Sequence, residues 1–354
     1  MATAKQLIEA LNKSAKVQIG GVGLDIPDPP RLPSGNFALD LAIGGGIPMG
    51  RATEIFGLEA SMKTTLLLKL IASHQRLFPD KRCAFIDVEG HTPRSWMETF
   101  GVDWKNLLYV SPENGEQVVD LMEGLVQAED IGLIGLDSIA AMISQRELVS
   151  DAETANVGTS GLLVNKMYRK MTHGLNEAKR AGKSLPTLVF INQVRYKMGV
   201  MYGDPETTPG GPAIKFFASL RLRVNGSDEF AKKTDKLPTY KHVRGTVKKH
   251  KVPILSKAFE YQIALRDIPE LSLKFGEAYD WNTVLLYLKK LNLLVQVKDG
   301  WELQASVAGV AVTYPTQDAL KSRYQSDRPF ADKVRLAVVD TALKLGDPVE
   351  GEAE

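Results

Sequence analysis

The stretch Gly57-Leu58-Glu59-Ala60-Ser61-Met62-Lys63-Thr64-Thr65 constrains this chain more than any other. It follows an apolar run, residues 52–56, that reads as a buried strand. It opens a segment whose Leu66, Leu67, Leu70 and Ile71 recur at helical spacing. Strand, tight turn, then helix is the setting of a phosphate-binding loop. Backbone N–H groups of the turn and of the helix N-terminus converge on an anion, and Lys63 adds a full charge. Thr64 offers a hydroxyl to the magnesium ion that accompanies a nucleotide. Met62 stands where the pattern G-x-x-x-x-G-K-[ST] has its second glycine, and a side chain there crowds backbone that should wrap round phosphate. Taken alone, the stretch also suits a chance turn before a buried helix. The rest of the chain decides between the two.

Between residue 33 and about 266, apolar strand candidates at 52–56, 83–87, 107–110, 132–137 and 188–193 alternate with helical patterns. That alternation predicts an α/β fold whose mostly parallel sheet is covered on both faces. Ligands then sit beyond the carboxyl ends of the strands, where the chemical residues fall. Gly57 to Thr65 follow the first strand, Glu89 the second; Asp137 ends the fourth and Gln193 the fifth. Asp137 has a bland reading as a helix cap beside Ser138, and Glu89 as a solvated loop acid. After a phosphate loop, Asp137 is better read as holding the magnesium shell and Glu89 as orienting and deprotonating a water. Asn192-Gln193 are strand-end amides; such a group caps the strand or senses a terminal phosphate.

After Gln193 comes a long glycine- and proline-rich segment, residues 194–212. It carries Arg195, Tyr196, Lys197, Met198, Gly199, Val200, Met201 and Tyr202, and later Gly210 and Gly211. Basic residues interleaved with aromatic and flexible apolar ones suit a nucleic-acid single strand, whose backbone needs charge and whose bases offer flat faces. A lid over the nucleotide is the competing reading, and it leaves the interleaving unexplained. Net charge is only +2 across 354 residues, so a nucleic-acid surface has to be a local patch. A second loop, about 145–161, is acidic on balance, and the run Lys248-Lys249-His250-Lys251 is by pattern alone a solvated face.

Outside this core, residues 4–14 put Leu7, Ile8 and Leu11 on one face of a short helix, joined by a linker rich in Pro and Gly up to Leu32. That stripe must dock on its own chain or on a neighbouring subunit. From Asp267 the alternation gives way to a small α+β appendage with a last helix at about 329–345 and an acidic tail, 346–354. The single cysteine, Cys83, lies in an apolar run and suits a reducing cytosol. No apolar stretch reaches the roughly 18 residues of a membrane span, and the first residues lack the apolar core of a secretion signal.

The sequence closely resembles the bacterial RecA recombinase family, with a phage-encoded member a variant of that expectation. The resemblance runs from about Ser34 to Ile263 and more weakly to about Leu345. Its carriers are Ser34-Gly35-Asn36, Leu39-Asp40, Pro48-Met49-Gly50-Arg51, the 57–65 loop, Ala84-Phe85-Ile86-Asp87 and Phe190-Ile191-Asn192-Gln193. They continue with Gly199-Val200-Met201-Tyr202-Gly203, Pro205-Glu206-Thr207-Thr208 and Lys215-Phe216-Phe217-Ala218-Ser219.

This resemblance implies a P-loop ATPase core at 34–266, a polymerisation helix and linker at 1–33 and a small C-terminal domain at 267–345. It implies a cytoplasmic, DNA-dependent ATPase using ATP and Mg2+, in a bacterial cell or a phage-infected host. Such a protein forms a filament on single-stranded DNA and exchanges strands with double-stranded DNA, with single-strand-binding and mediator proteins as further partners. Lys63 and Thr64 match the family's phosphate and magnesium residues, Glu89 its catalytic glutamate, and Asp137 its strand-end aspartate. Gln193 matches a γ-phosphate sensor, and Trp96 an aromatic that stacks on adenine. Lys249 and Lys251 match lysines that reach a neighbour's ATP, and Lys215 and Phe216 match interface positions that couple ATP to DNA binding. Two alternatives share this core: a ring-forming helicase or loader, and a mediator that binds nucleotide without hydrolysing it.

Overall fold

The computed structural model describes residues 2–15, 28–149, 159–196, 205–232 and 234–345. Nine strands form its central sheet: β1 (Ala52–Gly57), β2 (Arg82–Asp87), β3 (Leu107–Val110), β4 (Ile131–Asp137), β5 (Thr187–Gln193), β6 (Leu220–Glu229), β7 (Tyr240–His250), β8 (Ala258–Ala264) and β9 (Ala278–Tyr279). Their spatial order is β9-β8-β7-β6-β1-β5-β4-β2-β3. The pairs from β6 through β3 are parallel, and those from β6 out to β9 are antiparallel. All five expected strands are present. The antiparallel extension was hidden in the sequence, because the lysine run read there as solvated surface is the end of β7 and the turn after it.

Central strands read as apolar runs because both sheet faces are covered. On one face, Leu66, Leu67, Leu70 and Ile71 of the helix Lys63–Leu77 pack with Phe85, Phe100 and Leu222. On the other, Val118 and Met122 of helix Gly115–Leu125 meet Met167, Tyr168 and Met171 of helix Thr159–Arg180. A third cluster joins Phe37 and Leu41 of the short helix Phe37–Ala42 to the C-terminal region, where Trp281, Leu288, Val334 and Val338 are buried. That region holds a three-stranded antiparallel sheet, Leu294–Val297, Gly300–Leu303 and Val312–Tyr314, and ends in the helix Arg328–Leu345.

At the other end of the chain, the helix Ala4–Ala15 leaves Leu7 and Leu11 about half exposed, at 56% and 47%. Among the described residues, no core cluster includes its apolar stripe. The linker residues 16–27, residues 150–158 of the acidic loop and the tail 346–354 lie outside the described residues. Flanking the acidic loop, Gln145–Leu148 is a short helix and the long helix begins at Thr159. Among the described residues no helix is long and apolar enough to cross a membrane.

Candidate active site

A cavity of about 530 Å³ opens at the carboxyl ends of the parallel strands. Ala60, Ser61, Met62, Lys63, Thr64 and Thr65 line it from one side, and Asp87, Glu89, Trp96 and Asp137 from the others. The turn can be this tight because Gly57 is crowded: a Cβ there would sit 2.1 Å from the Val224 carbonyl oxygen. Ser61 Oγ closes the turn onto the Leu58 carbonyl at 2.7 Å. Met62 takes the left-handed conformation, φ +67°, immediately before the helix, which costs about 1–2 kcal/mol for a residue with a Cβ. Its side chain is half-buried and packs against the core, with the sulfur 3.8 Å from Thr65 Oγ1.

Lys63 Nζ donates to the Leu58 carbonyl at 2.6 Å and lies 3.4 Å from Ser61 Oγ. Burial lowers the pKa of this amine, against the raising pull of Asp137, Glu89 and Glu59. A group so placed gains from an anion that would stabilise its charge. Thr64 Oγ1 donates to Asp137 Oδ2 at 2.5 Å. Asp137 is pushed up to about 6, first by burial and then by Glu89 and Asp87, while the Thr64 hydroxyl and Lys63 work the other way. A buried carboxylate of that kind gains from a cation. Two oxygen ligands, with the rest supplied by phosphates and water, is an arrangement magnesium favours. Among the described residues no group of three or more His, Cys, Asp or Glu could cage a metal alone. The Thr64 hydroxyl and the Asp137 carboxylate, side by side on the cavity wall, fit an ion that arrives with its nucleotide.

Glu89 is held by Ser138 Oγ, which donates to its Oε1 at 3.1 Å. Sequence reasoning gave Asp87 no role, yet it builds the turn that carries Glu89. Its buried carboxylate accepts from the Gly90 and Thr92 N–H groups at 2.9 and 3.0 Å and from the Tyr109 hydroxyl at 3.1 Å. Burial and then Asp87 push that phenol up to about 12. An aspartate three residues before a glycine is a recognisable turn signal. Trp96 sits at the rim, 36% exposed, edge-on to Phe100 and Phe275 with ring centroids 5.0 and 5.6 Å away.

Other expected residues lie elsewhere. Gln193 pairs with Gly57 across β5 and β1, and Val194 N–H donates to the Gly57 carbonyl, so the long loop leaves the sheet beside the phosphate turn. Arg195 and Tyr196 are exposed and pair with Thr207 and Glu206, respectively, in a short antiparallel ladder. Arg223 clamps Glu206 through Nε and Nη2 at 2.9 and 2.6 Å. Gly210 and Gly211 both have positive φ, and a Cβ on Gly210 would meet Val164 at 2.9 Å. Lys197, Met198, Gly199, Val200, Met201 and Tyr202 lie outside the described residues.

Lys249 and Lys251 do not line the cavity. Lys249 pairs with Arg221, which pairs with Glu54, and Lys251 N–H donates to Ser219 beside the start of β1. At about 3.3 Å per residue, they stand roughly 10–16 Å back along the sheet from Gly57. Their amines cap the end of the helix Ala213–Phe217: Lys249 donates to the Lys215 carbonyl, and Lys251 to that of Phe216 at 3.0 Å. Burial, then Lys251 and Arg221, lower the Lys249 pKa. Phe216 is 75% exposed.

The profile of a family described as the RecA N-terminal domain matches residues 3–267. The chain belongs to the RecA family. It is 39% identical to Protein RecA of Streptomyces coelicolor over 66% of this chain and 60% of that protein's length. It is 30% identical to Protein RecA of Oceanobacillus iheyensis over 98% of this chain and all of that protein. It is 34% identical to the Trichormus variabilis protein over 87% of this chain and 79% of the other. The mixed, mostly parallel sheet is thus a RecA-type core, and the match to the Streptomyces relative spans less than two thirds of that relative.

Proposed function

We propose that this RecA-family chain is an ATP-dependent recombination protein. It forms a filament on single-stranded DNA, pairs that strand with homologous duplex and exchanges strands, hydrolysing ATP as it does so. The observation that carries the reading is the convergence of the phosphate loop, Glu89 and Asp137 on one cavity, with the 194–212 loop rooted beside it. Lys63 and the loop amides bind the phosphates, and Thr64 and Asp137 would hold a magnesium ion, which would supply positive charge to the nucleotide's phosphates. Glu89, oriented by Ser138, takes a proton from the attacking water. Trp96 gives the base a flat face, and Gln193 senses the terminal phosphate at the root of the DNA loop.

Position along the sheet supports a role for Lys249 and Lys251 across a subunit boundary, since neither side chain spans the distance to its own cavity. Exposed Phe216 beside them and the uncovered leucines of the first helix supply apolar surface for a neighbouring copy. Lys249→Ala or Lys251→Ala is expected to leave ATP affinity within about threefold of the parent while DNA-dependent turnover falls about 10³-fold or more, as for a trans-acting arginine. Nucleotide titration beside turnover checks this, and full activity would remove the trans role. Tyr202→Ala is expected to weaken single-strand binding by about 1–3 kcal/mol if the ring stacks on a base. Affinities compared at one salt concentration test it, and an unchanged value returns the loop to a lid. The function as a whole is tested by ATP turnover with and without single-stranded DNA at fixed salt. Strong stimulation supports it; no turnover in either condition points to a mediator that only binds nucleotide.

A further inference from the structure

A second cavity, of about 620 Å³, lies between the core and the C-terminal region and shares no lining residue with the nucleotide cavity. One wall is the helix Lys63–Leu77, whose Lys69, Ser73 and Leu77, spaced four apart, fall on one face. Trp281, Tyr279, Phe100 and Phe275 also line the space. Phe100 and Phe275 are the two rings on which Trp96 of the nucleotide rim packs edge-on. A space of this size, with aromatic walls and a few polar groups, is the usual form of a small-molecule site.

The acids around this space already have donors. Asp40 accepts from the Ser34 and Gly35 N–H groups at 2.8 and 3.2 Å. Asp280 takes Arg335 Nη2 at 2.7 Å and the Tyr324 hydroxyl at 3.1 Å. Asp332 pairs with Arg76 and Arg335, and Glu277 accepts from the Lys274 N–H. Lys69 and Ser73 differ. An ammonium group has three N–H donors, and among the described residues the Lys69 amine makes one hydrogen bond, a long one of 3.3 Å to the Gly276 carbonyl. Burial, opposed first by Asp280, pushes that amine down to about 8, so an added anion would favour its charged form. Ser73, one turn further along the helix, is 8% exposed, and its Oγ has no partner among the described residues. Burial also pushes Asp40 up to about 7, so it can take up a proton as a second anion approaches. Spare donors between aromatic rings suit an acceptor carried on a flat apolar body. We propose that this cavity binds a small aromatic carboxylate, with its anionic oxygens on Lys69 Nζ and Ser73 Oγ and its ring among Phe100, Phe275 and Trp281. Such a ligand would join the C-terminal region to the helix that begins at the phosphate turn.

The probe is naphthoate, titrated into the full chain and followed by ligand-observed NMR, with naphthamide as its neutral counterpart and naphthylmethylamine as a cation. Naphthoate is expected to bind once per chain and about tenfold or more tighter than naphthamide, as hydrogen bonds to a charged group require. Lys69→Met keeps the stem and removes the charge, and should bring that preference to near one. Ser73→Ala should lower naphthoate affinity by about 2–12-fold, the worth of one ordinary hydrogen bond. Both variants should hold a slowly hydrolysed ATP analogue within about threefold of the parent, since neither residue lines the nucleotide cavity. Equal binding of acid and amide by the parent, or no binding of either, overturns the inference. So does an undiminished preference for the acid in Lys69→Met, which would put the probe elsewhere. Tighter binding of the amine would make Asp40 the anchor and overturns it as well. If Lys69→Met fails to fold, the parent's preference for acid over amide and the loss in Ser73→Ala decide the matter, and absence of either effect overturns the inference.

Discussion

Lys63→Ala is expected to weaken ATP binding by about 10–150-fold, the loss of one charged hydrogen bond worth about 1.5–3 kcal/mol. Turnover is expected to fall further, by an additional factor of about 10²–10³, because the amine also meets charge that develops during transfer. The unliganded protein should behave differently. Lys63 is partly withdrawn from water, its charge is disfavoured by that burial, and its partners are the Leu58 carbonyl of its own loop and, at longer range, Ser61 Oγ. Removing it relieves desolvation and breaks one short and one long hydrogen bond within its own loop, so the melting temperature without nucleotide should stay level or rise slightly. A titration with a fluorescent ATP analogue, a turnover assay and a thermal melt read the three quantities. A variant that still turns over ATP at the parent rate would mean that another loop binds the phosphates.

Glu89→Gln is expected to separate binding from chemistry. The glutamine keeps the size of the side chain and an oxygen able to accept from Ser138 Oγ, so the turn built on Asp87 should stay intact. ATP affinity should change by less than about threefold, while phosphate release in a single turnover slows by about 10²–10⁴, the usual contribution of a positioned general base. Complexes with DNA formed in ATP should then persist as they do with a slowly hydrolysed analogue. Undiminished release would shift the proton acceptor to one of the neighbouring carboxylates, Asp87 or Asp137, both of which line the same cavity.

The parts of this site that are legible in the sequence are those concentrated in short stretches. The 57–65 turn is contiguous, and each apolar strand announces its own carboxyl end, which puts Glu89, Asp137 and Gln193 on one side of the sheet. What stays hidden depends on register between strands. Glu54 looks like a lone acid inside an apolar run, and Arg221 like one of several basic residues in an alternating segment. Only the pairing of β1 with β6 and β5 brings them to Asn192, 138 residues along the chain from Glu54. The antiparallel strands β7 and β8 were obscured for a related reason: one face of β7 carries exposed charged residues, so its pattern reads as surface. Met62 illustrates the limit of motif matching. The pattern flags a missing glycine, but where its side chain goes is decided by the core beneath the loop.

The distance of Lys249 and Lys251 from their own phosphate loop has an arithmetic consequence if their amines serve the next subunit. A row of n chains then contains n − 1 complete catalytic centres, and a solitary chain contains none. Turnover per chain would climb from zero in dilute monomer towards a plateau in long rows, and each break in a row would silence one centre. Catalytic rate thereby becomes a gauge of length, and the chain at one end of each row can keep its ATP uncleaved.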